Sequence, residues 1–136
     1  HEPAARAARI RLIEARLPAP ERLPRRRYDL IVSNSLLHHL PDPGVLWNTV
    51  RHAGRPGCRV VIMDLFRAAS RDAAQAIVDR YAADEPAVLR TDFYHSLLAA
   101  FTPDEVRAQL REAGLAGCRV ESVSDRHLLV SGRLPA

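Results

Sequence analysis

Lysine is absent from this chain; all 20 of its basic residues are arginine. Aromatic residues make up only 5% of the sequence, and there is one methionine, one tryptophan and two cysteines in 136 residues. Each scarcity excludes something. No apolar run approaches the roughly 18 residues that a membrane-spanning helix requires, so no membrane partner is expected. Cys58 and Cys118 lie far apart, which is no framework for a small disulfide-stapled secreted domain. They read as two reduced, buried thiols in a cytoplasmic protein. The opening His1-Glu2-Pro3-Ala4-Ala5-Arg6 has no apolar core behind a basic stretch, so it is not read as a signal peptide. The net charge of +4 raises the question of nucleic acid. However, the arginines are dispersed, and the one run, Arg25-Arg26-Arg27, has no interleaved aromatics to stack bases. A solvated loop explains that run, and no nucleic-acid partner is expected.

The length suits one domain with one core, and the apolar pattern alternates between strand and helix periods. Ile10 to Leu17 alternates as a strand, after which Pro18, Pro20 and Pro24 enforce a loop. Tyr28 to Asn34 and Cys58 to Leu65 are short apolar runs read as strands buried on both faces. Between them, Val45 to Ala53 has helical spacing and Gly54 with Pro56-Gly57 turns the chain. Ser70 is an N-cap for a helix reaching about Ala83, and Pro86 to Phe101 is a second helical stretch. Thr102-Pro103-Asp104-Glu105 opens a third helix as a capping box. Arg119 to Ser124 and His127 to Gly132 read as a terminal hairpin. The order indicates an α/β domain with a mostly parallel sheet and an antiparallel tail.

Three stretches carry a family resemblance. Tyr28-Asp29-Leu30-Ile31 through His38-His39-Leu40 resembles the fourth-strand segment of class I S-adenosylmethionine-dependent methyltransferases acting on small molecules. Arg55-Pro56-Gly57-Cys58 with Val60-Val61-Ile62-Met63-Asp64 resembles the family's turn and fifth strand. Phe101-Thr102-Pro103-Asp104-Glu105 through Ala113-Gly114-Leu115 resembles the helix before the last hairpin, and Arg126 to Val130 its final strand. The resemblance implies a Rossmann-like sheet in the order 3-2-1-4-5-7-6, with strand seven antiparallel. Residues 1–136 would then be a single partial domain: 10–17 the third strand, 28–65 strands four and five, 70–113 a helical segment and 117–133 the terminal hairpin. Helices are expected on both faces. No G-x-G turn occurs in the chain, although glycines there let backbone approach the cofactor closely. The third-strand stretch has Arg16 where the family often has an acidic residue beside the adenine, so no adenine contact is carried over. The expectation is therefore a carboxyl-terminal part of such an enzyme. Its alternative is a non-catalytic module that pairs through an open fourth-strand edge, as a homodimer or with a complementing chain.

What the resemblance implies for the site is a set of residues at the carboxyl ends of the strands, where open α/β sheets hold ligands. Ser33, Asn34 and Ser35 are the candidate contacts to S-adenosylmethionine. His38 is the candidate general base, since imidazole titrates near neutrality. Asp64, Tyr94, His95 and Arg126 are candidate contacts to a small-molecule acceptor. No metal is expected, because His38 and His39 are adjacent and no cysteine or carboxylate stands at ligand spacing. The isolated chain is expected to bind the cofactor weakly or not at all.

Overall fold

A computed structural model describes residues 9–136; the opening stretch His1–Arg6 lies outside the described residues. The elements are β1 (Tyr28–Asn34), a 3-10 turn (Leu37–His39), α1 (Gly44–Ala53), β2 (Gly54–Leu65), α2 (Arg71–Tyr81), α3 (Ala87–Ala99), α4 (Pro103–Glu112), β3 (Arg119–Ser122) and β4 (His127–Arg133). The sheet runs β1-β2-β4-β3, with β1 and β2 parallel and β4 antiparallel to both of its neighbours. This is the order expected for strands four to seven of the resembled family, and the α/β class expected from the alternating periods.

Alternation along β2 determines which side is packed. Cys58, Val60 and Ile62 are buried on one face, with Val120, Leu128 and Val130 from the hairpin beside them. Two helices close that face. In α1 the stripe Leu46, Trp47, Val50 and Ala53 points inward, and in α4 it is Val106 and Leu110. Trp47 is fully buried, yet its indole N–H still needs an acceptor. It donates to Gln109 Oε1 at 3.1 Å, which bonds α1 to α4. Arg51 adds a second tie by donating to the Ala113 carbonyl at the end of α4.

A second helical layer, α2 with α3, has a smaller core of its own: Ala68, Ala74, Val78, Ala82 and Leu97. Leu65, whose side chain alternates to the other side of β2, packs into it. Helices thus lie on both sides of the sheet, as expected. Main-chain bonds from Arg67 to Phe101 and from Ala68 to Leu97 fasten the layer to the end of β2. Burial pushes the thiols of Cys58 and Cys118 above their ordinary range, so both remain protonated and free. Among the described residues no helix is long and apolar enough to cross a membrane.

Three local expectations are corrected. Ile10 to Leu17 forms no strand; its alternation has no neighbouring ladder to join, and unpaired backbone does not hold a strand. Tyr28 to Asn34 is a strand but not a buried one. Leu30 and Val32 are 54% and 66% exposed, because β1 is an edge of the sheet and their face is left uncovered there. The capping box at Thr102 is half formed. The Thr102 hydroxyl accepts from the Glu105 N–H, but the Glu105 carboxylate turns away to pair with Arg67.

Gly132 faces the backbone of Cys118 across the hairpin, and a Cβ there would lie 2.9 Å from Cys118 Cα. Backbone cannot yield as a side chain does. Gly132→Ala is expected to lower the unfolding free energy by about 1 to 3 kcal/mol in urea titration. Gly117→Ala, which meets no atom within 4 Å, should change it by less than about 0.5 kcal/mol.

Candidate active site

The two parallel strands end together, and the turn after β1 decides what stands at that rim. Ser35 has φ of 60°, the left-handed region that a residue with a Cβ seldom adopts. Its N–H still reaches the Met63 carbonyl at 3.0 Å, so the strand pairing is kept while the chain swings off into the 3-10 turn. Buried Leu37 anchors that turn in the main core. Asn34 and Ser35 are left exposed at the rim, the Ser35 hydroxyl donating to Asn34 Oδ1 at 3.2 Å. Ser33 is half-buried on the packed side.

The turn also delivers His38 onto Asp64, which ends the buried alternation of β2. Asp64 is fully buried, the only charged residue of the described chain in that class. Its carboxylate accepts from the His38 N–H at 3.0 Å, from His38 Nδ1 at 2.5 Å and from the Leu65 N–H at 2.7 Å. A buried carboxylate is tolerable only when its lone pairs are occupied in this way. In the neutral imidazole, a proton on Nδ1 leaves Nε2 with the free lone pair. Among the described residues Nε2 has no hydrogen-bond partner, and the side chain keeps 6% of its surface exposed. His39 is exposed, its ring 3.9 Å from that of His38.

This arrangement corrects one expected role. Asp64 cannot contact an acceptor, because it has no exposure and its oxygens are taken by the protein; it holds His38 instead. Arg126 is likewise committed. Its guanidinium lies 3.6 Å from the centre of the Tyr81 ring and donates to Asp125, while the Tyr81 hydroxyl donates to the same carboxylate. These bonds latch the end of α2 to the hairpin. Tyr94 and His95 sit on α3 with their rings edge to face at 5.5 Å; Tyr94 is half-buried and His95 exposed. The helix that carries them packs against the turn that carries His38.

The Tyr81 hydroxyl and then Arg126 hold the Asp125 carboxyl below its ordinary value. Neighbouring His127, bonded to the Ser124 hydroxyl at 3.0 Å, is held below its ordinary 6.5 by burial and then by the Arg126 charge. An apolar hollow between Pro18–Leu23 and α1 lies apart from this chemistry. Its one titratable residue, His52, is bonded to the Leu23 carbonyl.

Residues 2–120 match a family described as a methyltransferase domain. The chain belongs to that family. No curated protein matches it. A possible exported protein from Bordetella parapertussis is 28% identical at a TM-score of 0.58, over 84% of this chain and 41% of that one. An O-methyltransferase family protein from Burkholderia thailandensis is 18% identical at 0.62, over 96% and 37%. A SAM dependent methyltransferase from Aquifex aeolicus is 17% identical at 0.52, over 92% and 53%. The likenesses to the last two concern the fold alone. The chain thus spans between 37% and 53% of the length of these structures.

The partnership of Asp64 with His38 was not legible from the sequence. The two are 26 residues apart, and only the parallel register of β1 and β2 brings them together. The signal available was a lone aspartate closing an apolar strand.

The depressed His127 has a consequence for stability. On acidification the unfolded chain takes up this proton before the folded one does. Stability from His127 is therefore complete above about pH 6.5 and is lost progressively below it. His127→Gln, which keeps a hydrogen-bonding amide near Ser124, should flatten the fall in thermal midpoint between about pH 7 and pH 5. An unchanged slope would show that His127 does not contribute to it.

Proposed function

We propose that this chain is the acceptor-side part of an enzyme that transfers a methyl group from S-adenosylmethionine to a small-molecule acceptor. The observation that carries the reading is the buried Asp64–His38 pair at the shared carboxyl end of two parallel strands, in a chain of the methyltransferase-domain family.

The rim suits one end of the cofactor. Asn34 and Ser35 present an amide and a hydroxyl, which complement the amino and carboxylate groups of its methionine moiety. The adenosine end has no glycine-rich cradle in this chain. Bound S-adenosylmethionine supplies an already activated methyl group, so alignment rather than side-chain reactivity provides most of the acceleration. The chain's own contribution is proton handling. His38 Nε2 takes the proton that the acceptor oxygen or nitrogen gives up as it forms its bond to the methyl carbon. Asp64 fixes the ring through Nδ1 and offsets the charge the ring then carries.

On the natural gene product, release of S-adenosylhomocysteine with an acceptor set of phenols and amines tests the reading. His38→Gln should lower kcat by about 100-fold or more, with KM for the cofactor little changed. Retention of kcat within about twofold would remove His38 as the base.

A second reading rests on a different observation. The outer edge of β1 is unpaired in the sheet, and Leu30 and Val32 stand exposed along it. Such an edge is a template for another strand, so the chain also reads as a module that pairs through β1 with a second copy or a complementing chain. Sedimentation of the chain should then show concentration-dependent dimers that Val32→Lys abolishes. A monomer at every concentration, unaltered by that substitution, would count against self-pairing.

A further inference from the structure

The cleft between α2 and α3 is lined by an arginine, Arg90, whose side chain makes no ion pair or hydrogen bond among the described residues. It is open, about 260 Å³ in volume, and lined by Gln75 and Val78 of α2 with Ala87, Arg90, Thr91 and Tyr94 of α3. The α3 residues are spaced three, four and seven apart, which puts them on one face of that helix. Among the described residues, Arg90 Nε is the only buried side-chain nitrogen or oxygen without a hydrogen-bond partner. Other arginines of the fold are provided for: Arg67 holds the Glu105 carboxylate, and Arg126 holds that of Asp125. No carboxylate lines the cleft, and Asp79 one turn along α2 is engaged by the Gln75 amide at 2.9 Å.

A guanidinium N–H removed from water and left without an acceptor is costly. The Nε itself is sealed, so what the cleft can offer a ligand is the two terminal nitrogens, which bond no group among the described residues. The planar fork of arginine matches a carboxylate, which it can bind with two parallel hydrogen bonds. The rest of the cleft narrows the class. Buried Val78 and the Tyr94 ring offer an apolar and aromatic wall, while Thr91 adds one neutral hydroxyl. A single cation with neutral neighbours suits a monoanion rather than a phosphate dianion, which would call for further positive charge.

We propose that this cleft binds the carboxylate of an aromatic or apolar acid, with Arg90 as its anchor and Tyr94 against its ring. The inference rests on the methyl-transfer reading only in taking that acid as the methyl acceptor. The α3 helix joins the two places, since it carries Arg90 and Tyr94 and packs against the turn that bears His38.

Benzoate is a sufficient probe, and binding to the whole chain is measured by calorimetry or by amide shifts in NMR spectra. Saturable binding of benzoate is expected, with shifts at Val78, Thr91 and Tyr94. Benzamide, its neutral counterpart, should not bind. Arg90→Gln should weaken benzoate by about tenfold or more, and Arg90→Lys by less. Because the Arg90 side chain bonds nothing among the described residues, Arg90→Gln should leave Tm unchanged or raise it. A sharp fall in Tm would mark Arg90 as a packing residue and overturn the proposal. So would equal binding of benzoate by Arg90→Gln, or no saturable binding at all. The two readings fail separately. Benzoate binding without methyl transfer to any carboxylic acid keeps the cleft and removes the acceptor role. Methyl transfer confined to neutral acceptors, without benzoate binding, removes the cleft alone.

Discussion

Placing a carboxylate beyond the reach of water requires that every lone pair it exposes to the interior find a donor. At Asp64 that requirement organises the rim of the sheet. Its oxygens draw in the backbone and ring of His38 and the backbone of Leu65, so the end of β2 and the turn after β1 are held by the same group. The left-handed turn at Ser35 persists because both of its sides are secured, by the Met63 carbonyl before it and by buried Leu37 after it. The result is an imidazole whose inner nitrogen is held and whose outer nitrogen has no partner among the described residues. It is supplied by a short 3-10 turn that Asp64 and buried Leu37 tie to the sheet and core.

The two hydrophobic clusters serve different ends. The larger one, centred on Trp47, Ile62 and Leu128, joins α1 and α4 to the sheet and keeps the strands in register. The smaller one under α2 and α3 is mostly alanine with Val78 and Leu97. It buries less apolar surface per residue and so contributes less to stability. It is tied to the rest by Leu65, by main-chain bonds after β2 and by the Tyr81–Asp125–Arg126 latch.

The β1 edge shows the same economy from the other side. Leu30 and Val32 have the composition of buried strand residues and yet are uncovered. Their pattern is that of a strand covered on both faces, whereas the described residues cover one only. This agrees with a chain that spans about half or less of the three solved relatives described above.

Local chemistry in the sequence was enough for the elements themselves. The N-cap at Ser70, the Thr102-Pro103 helix start, the stops at Gly54 and Gly114 and the terminal hairpin all follow from interactions within a few residues. The α/β class followed from their succession, and the order of the last four strands from the family resemblance. Where a long-range partner decides, the sequence was mute or misleading. Ile10 to Leu17 alternates like a strand but has no ladder, and Glu105 left its cap for Arg67. The pairing of Asp64 with His38, the latching of Arg126 and the isolation of Arg90 are likewise tertiary facts. A side chain's period tells which way it points, but its role depends on what the rest of the chain brings within hydrogen-bonding distance, and that is decided only when the sheet and helices close on one another.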